Sequence, residues 1–289
     1  MDVWSRRVSP VRKVPSDLVA IFRIAGARVL VMYLVQIAKH LPDILRSHTL
    51  RAADDGMSGK VYTFRVLGKQ VRLKGSEFGL AREIYGRGVY FRPPEVILEA
   101  RDIVVDVGAN VGVFTALASV VGARVISVEA QSEFVNQIYD NATRNGARDR
   151  VEVEFGLIGA ESGAFSDPSV LHSASHFGAE PPTLTMPDLM RRHALDHIDF
   201  LKVDIEGSEF ALFEGGSEWL TSVDKMAMEV HPEFGDTDHL VKILQGSGFQ
   251  VDSFDYDRRA QSRAPQETRY ILARRSYPAE RLCTASDRF

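Results

Sequence analysis

IVVDVGANVGVFTALASVVGARVISVEA, residues 103–130, is the stretch on which the fold turns. Apolar residues lead into Asp106, glycines follow at 108 and 112, and a second apolar run, RVISV, ends on Glu129. Apolar runs of this length bounded by glycine read as buried strands, and FTALASVVG between them has helical character. A strand, a glycine turn, a helix and a further strand make a βαβ unit, which implies parallel pairing.

The same alternation continues to the C-terminus. RVEVEFGLI, DFLKVD, KMAMEV, FQVDSF and RYILAR are further strand candidates, and RVEVEFGLI reads as one strand. SEFVNQIYDNATRNG, MPDLMRRHAL, SEFALFEGG and DHLVKILQGSG are helical, several of them ending in Gly or Asn-Gly as a left-handed cap requires. Strands alternating with helices predict an α/β fold, a parallel sheet covered on both faces. FQVDSF and RYILAR are joined by YDRRAQSRAPQE without a helical pattern, so they form an antiparallel pair at the end of the sheet.

Upstream, VYTFRV and QVRLKG around LGK alternate as a β-hairpin should. RAADDGMSG and GRGVYFRPP read as loops. The expected divisions are an N-terminal helical extension (1–60), a hairpin and pre-core segment (61–100), the core (101–276) and a C-terminal tail (277–289). Residues 18–38 read as one apolar helix with basic flanks at Arg6, Arg7, Arg12, Lys13 and Lys39. Arg23 and Arg28 inside it argue against a membrane span. Packing on the body of the protein or on a second copy is preferred; lying on an anionic membrane surface is the alternative.

A net charge of -4 excludes a general nucleic-acid binder. One cysteine, Cys283, excludes an intrachain disulfide and a cysteine metal cluster, and a cytoplasmic protein is expected.

In an open parallel sheet, ligands sit beyond the carboxyl ends of the strands, where Asp106 and Glu129 fall. Glycine at 108 and 112 would let a ligand approach the backbone. Asn110 stands where a dinucleotide fingerprint needs glycine, and an acid pointed into the ligand space is unfavourable for a diphosphate. Such an acid suits an ammonium or a sulfonium. S-adenosylmethionine has both, together with a ribose for Glu129.

VVDVGANVGVFT, VEAQSEFVNQIYDNATRNG, IDFLKVDIEGSEFALFEGG and MEVHPE together resemble the FkbM family of S-adenosylmethionine-dependent methyltransferases, over roughly residues 80–250. The departure is Glu129-Ala130, where the family commonly has Glu-Pro. The resemblance implies a seven-stranded Rossmann-like methyltransferase sheet with an antiparallel last strand. It also implies methyl transfer to a hydroxyl of a sugar or a natural product. It assigns Asp106, Gly108, Asn110 and Gly112 to the cofactor turn and Glu129 to the ribose; Ala109 and Ala130, inside the same motifs, are counted with them.

An aliphatic hydroxyl needs a base or a metal to become a good nucleophile. LKVDIEGSE places Lys202 and Asp204 on one strand face with Glu206 at the turn, and MEVHPE places Glu229 and His231 at the next strand tip. His231 is the natural base by its ordinary pKa, Asp204 its orienting partner, a binder of the substrate hydroxyl or itself the base, and Lys202 a catalytic candidate or a plain charge partner. Magnesium on Asp204, Glu206, Glu229 and His231 is the alternative to the preferred metal-free base. His172, Ser173, Ser175 and His176, in the long connection 159–182, are acceptor-pocket candidates, with Tyr90 and Tyr85 closing the site from the other side. The other functions weighed are a nicotinamide-dependent oxidoreductase and an inactive binding protein. Self-association through the N-terminal helix is a further expectation.

Overall fold

The computed structural model describes residues 14–159, 181–214, 216, 218–255 and 265–275. Strand β3 (Ile103–Val107) is central because its side chains are buried on both faces: Val104, Val105 and Asp106 are fully enclosed. β4 (Arg124–Glu129) and β5 (Val151–Phe155) lie parallel to one side of it, and β8 (Ile198–Val203) and β9 (Val223–Glu229) parallel to the other. β10 (Phe249–Phe254) and β11 (Tyr270–Arg275) complete a seven-stranded sheet in the order β10-β11-β9-β8-β3-β4-β5. β11 runs antiparallel to both of its neighbours. The connection YDRRAQSRAPQE carries no helical pattern in its sequence, and a chain without a crossover turns back.

Two apolar clusters cover the two faces. Val104, Val125 and Phe200 point to one, and Val105, Val107 and Leu201 to the other, by the two-residue alternation of strands. The second face is covered by α8 (Met186–Arg192), α9 (Glu209–Glu214) and α10 (Thr237–Gly246). On the first face lies α6 (Val113–Val121), almost wholly buried. A helix apolar all round must be covered on its outer side too. The N-terminal hairpin, β1 (Val61–Val66) and β2 (Lys69–Lys74), does this with α7 (Ser132–Arg144). One buried cluster therefore runs from Ile21 through Phe78 to Phe114 and Phe200.

Three local expectations change. The helix over 18–38 is two helices, α1 (Val14–Ala25) and α2 (Ala27–Lys39), separated by Gly26 at φ 85°, which no right-handed helix accommodates. RVEVEFGLI is not one strand: a Cβ at Gly156 would lie 2.4 Å from Leu184, and the chain leaves the sheet there. Leu157–Ile158 (β6) then pairs with Thr183–Leu184 (β7). In RAADDGMSG, Arg51–Asp55 is helical (α4, after α3, Leu41–Ser47, and before α5, Phe78–Ala81). Asp54 is buried there because it accepts hydrogen bonds from Arg82 and Tyr33. No helix among the described residues is long and apolar enough to cross a membrane.

Candidate functional site

The register of the sheet builds the site. Asp106 on β3 stands level with Lys202 on β8 and with Ser127 on β4. The Asp106 carboxylate is fully buried: Oδ2 accepts from the Thr115 hydroxyl at 2.7 Å, and Oδ1 lies 3.1 Å from the Lys202 ammonium. Asp106 is thus turned into the protein, and its charge is met by Lys202; the expected acid aimed at a ligand is not there. Burial alone would lower the Lys202 pKa, but Asp106 and Asp204 outweigh it and the ammonium is held protonated. Its Nζ donates to the Gly108 carbonyl at 2.6 Å and sits 3.9 Å from Asp204. Lys202 is the charge partner of two strand-end acids and a clamp on the glycine turn.

That turn is closed on itself. The amides of Gly108 and Ala109 both donate to the Val128 carbonyl, and that of Gly112 to Ala109. Asn110 donates to the Glu129 carboxylate at 2.7 Å, and Val111 to the Asn110 side chain. Asn110 adopts φ 52°, a left-handed conformation that Asn tolerates better than most residues. Gly108, at φ 75°, is glycine for a different reason from the one expected: a Cβ would lie 1.8 Å from the carbonyl oxygen of Asp204. At Gly112 the crowding neighbour is Ile138, again the protein and not a ligand. Gly108→Ala should destabilise the fold by about 2–3 kcal/mol through left-handed strain and overpacking. Urea denaturation measures it, and an unchanged midpoint would show that the loop after β8 yields.

Glu129 is buried, and its two oxygens each hold one backbone amide, from Asn110 and from Gln131 at 2.8 Å. Burial raises its pKa, and those two amides work against the rise. Each oxygen still has a lone pair for a ligand hydroxyl. Ala130 follows it, half-buried.

Asp204, Glu206, Glu229 and His231 come together at the tips of β8 and β9. Asp204 is partly exposed and accepts the Tyr90 hydroxyl at 2.9 Å; the same hydroxyl is 3.5 Å from Glu229. Burial, then the charges of Asp204 and Glu229, keep Tyr90 a protonated phenol. It lies enclosed beneath the carboxylates, 2% exposed. The Tyr85 hydroxyl donates to the Val113 carbonyl and packs inside the protein. Desolvation, followed by the Asp204 charge, pushes the Glu229 carboxyl well above its ordinary range.

His231 differs most from expectation. Asp204 does not orient it. Its Nδ1 lies 2.9 Å from Glu209, and its Nε2 3.4 Å from Glu206. Burial would lower its pKa, but the Glu209 hydrogen bond and the charges of Glu209, Glu206 and Glu229 raise it to about 10. The ring is an imidazolium at neutral pH and not the neutral base its ordinary pKa suggested. Because the folded pKa lies above the unfolded one, the stability it contributes is complete below about pH 6.5. That stability is lost as pH rises through about 10.

Glu209, fully buried, also accepts the amides of Ile205 and Gly207. It lies in the quoted KVDIEGSE block, and its only signal in the sequence was an acid at the first turn of a short helix with an apolar middle. Thr115, the partner of Asp106, carried no signal at all. His172, Ser173, Ser175 and His176 lie outside the described residues.

No curated protein matches the chain in sequence. Among solved structures it is similar to a protein of the NADB-Rossmann superfamily from Streptococcus agalactiae, at 13% identity and TM-score 0.36, covering 63% of this chain and 65% of that one. An O-methyltransferase from Bacillus cereus in complex with SAH is similar at 14% and 0.38, covering 61% and 74%. A SAM-dependent methyltransferase from Aquifex aeolicus is similar at 17% and 0.35, covering 61% and 84%. The chain spans just under two thirds of the first of these, and likeness at this level bears on neither substrate nor chemistry. The family model described as "Methyltransferase FkbM domain" is more specific, matching residues 106–251 of 289, half of the chain. The strand-end acids, the closed glycine turn and the KVDIEGSE block all lie within that match, and the chain belongs to the FkbM methyltransferase family.

Proposed function

We propose that the protein is an S-adenosylmethionine-dependent O-methyltransferase acting on a hydroxyl of a small-molecule natural product or a sugar. The observation that carries the reading is the Asp204 carboxylate: partly exposed at a strand tip, held by the Tyr90 hydroxyl, and across the Gly108 turn from Glu129.

The residues fit the cofactor. Glu129 keeps lone pairs for the two ribose hydroxyls, and the turn leading to it is rigid because its amides and the Gly108 carbonyl are all engaged. The cofactor, when bound, supplies an electrophilic methyl carbon and a neutral thioether leaving group. Asp204 takes the proton of the acceptor hydroxyl as that oxygen attacks. Tyr90 orients the carboxylate, and Lys202 balances the charge of Asp106 and Asp204. His231, protonated and fixed by Glu209, offers a positive charge beside the acceptor oxygen.

A nicotinamide cofactor fits less well. The five amides from Gly108 to Gly112 are all engaged within the protein, so this turn has no donor for a pyrophosphate. Asp204, Glu206 and His231 bring possible ligand atoms within 4.8 Å of one another. Glu209 and Glu206 already face the two ring nitrogens of His231, however, and metal-free base catalysis is the preferred reading.

Calorimetry with S-adenosylhomocysteine tests the proposal. Binding is expected, and Glu129→Ala should weaken it about 10- to 100-fold by removing charge-assisted hydrogen bonds to the ribose. Tight binding of NADH with no response to S-adenosylhomocysteine would sink it.

A further inference from the structure

The N-terminal helices turn apolar side chains outward. On α2 the exposed positions Ala27, Val31, Leu34, Val35 and Ala38 recur every three or four residues, a stripe about 100° wide. Val31, Leu34 and Val35 are 59%, 42% and 46% exposed. α1 adds Val19 and Phe22, and α3 adds Leu41 and Leu45. Beside this face, where the chain breaks at Gly26 and meets the hairpin, lies a groove of about 590 Å³. Arg23, Arg28, Lys60 and Arg65 line it, with Val29 and Met32 on its apolar side, and no carboxylate does. On the N-terminal helices Asp43 is engaged by His40 and Arg46, and Asp17 by Arg82 and Arg87. Among the described residues, no acid pairs with the four groove cations.

We propose that this face docks on an anionic lipid surface. Phe22, Val31, Leu34 and Val35 enter the acyl boundary, and the phosphate of an acidic phospholipid headgroup sits in the groove against Arg23, Arg28, Lys60 and Arg65. The physics is that of a helix lying in the interface, in which apolar area and cation attraction add. The whole chain carries -4, so these cations are gathered on one face and are not a general excess. Charge selects the occupant. A second copy docked through the same patch would set this basic rim against itself, since a two-fold interface is self-complementary. Residues 1–13, with Arg6, Arg7, Arg12 and Lys13, would repel the groove as well.

The test is co-sedimentation of the full-length protein with phosphatidylcholine vesicles, with and without phosphatidylglycerol. Pelleting is expected with phosphatidylglycerol, weakening as salt rises. The double variant Leu34→Asp/Val35→Asp should lower vesicle affinity at least tenfold. Arg23→Gln and Arg28→Gln should each lower it about fivefold. These sites are exposed, so circular dichroism should be unchanged. S-adenosylhomocysteine binding, read in the same samples, reports separately on the methyl-transfer proposal. Equal pelleting with both vesicle types, or variants that bind like wild type, would overturn the inference. So would displacement by inorganic phosphate beyond that of sodium chloride at equal ionic strength, which would mean a free-anion site. A wild-type dimer that ignores vesicles and becomes monomeric in the double variant would assign the face to a second copy instead.

Discussion

Asp204→Asn is expected to lower turnover about 10²- to 10⁴-fold, the usual range for loss of a general base, while S-adenosylhomocysteine affinity changes little. The substitution keeps the shape and the Tyr90 contact, since an amide oxygen can still accept that hydroxyl, and removes only the ability to take a proton. The neighbouring groups are poorer substitutes. Glu229 is desolvated and faces Asp204, which raises its pKa well above the ordinary carboxyl range. His231 is cationic up to about pH 10, so wild-type turnover should show no imidazole limb near its ordinary value. His231→Ala should therefore cost less than Asp204→Asn, through a lost charge and not a lost base. Turnover of Asp204→Asn at the wild-type rate, or a wild-type profile rising through the ordinary histidine range, would move the base elsewhere.

Arg82→Met should destabilise the protein by about 3–5 kcal/mol, because it leaves Asp54 without its cation and takes from buried Asp17 one of its two. Arg82 donates two hydrogen bonds to Asp54, at 3.2 and 2.8 Å, and one to Asp17 at 2.7 Å. Arg87 grips Asp17 through two bonds of 2.9 Å, and Tyr33 donates to Asp54 at 2.8 Å. Asp17 is 1% exposed, so water cannot take over from the lost guanidinium. Asp54 would keep only Tyr33. The loss should reach the site as well, since the segment that starts at Arg82 carries Tyr85 to Val113 and Tyr90 to Asp204. Chemical denaturation reads the first effect and S-adenosylhomocysteine calorimetry the second. A loss below about 1 kcal/mol would mean that the two aspartates find other partners or protonate at little cost.

Much of this architecture is readable locally. FQVDSF occupies β10 residue for residue, and IVVDV occupies β3, because two-residue alternation and glycine boundaries are properties of a short segment. The reversal into β11 followed from a connection lacking helix periodicity. The break at Gly26 was harder, because a glycine within an apolar helical pattern is tolerated as often as it ends a helix. The environment of the site residues was less legible still. His231 has its ordinary pKa in any isolated peptide, and only the fold brings Glu209, Glu206 and Glu229 around it. Asp106 looked like an acid facing a ligand until its cross-strand neighbour was known to be Lys202.

Taken alone, the chain of residues determined the kinds of element, their order, the family motifs and which acids end which strands. Each of these rests on spacing along the backbone, where the forces are steric and short-ranged. Only the tertiary structure decided that Lys202 neutralises Asp106, that Gly108 makes room for the Asp204 carbonyl, and that α2 shows its apolar stripe to solvent. Those outcomes depend on which strand lies beside which and on what covers each helix. Charge compensation and burial act between groups far apart in the chain, so a linear reading has no measure of them until the distances exist.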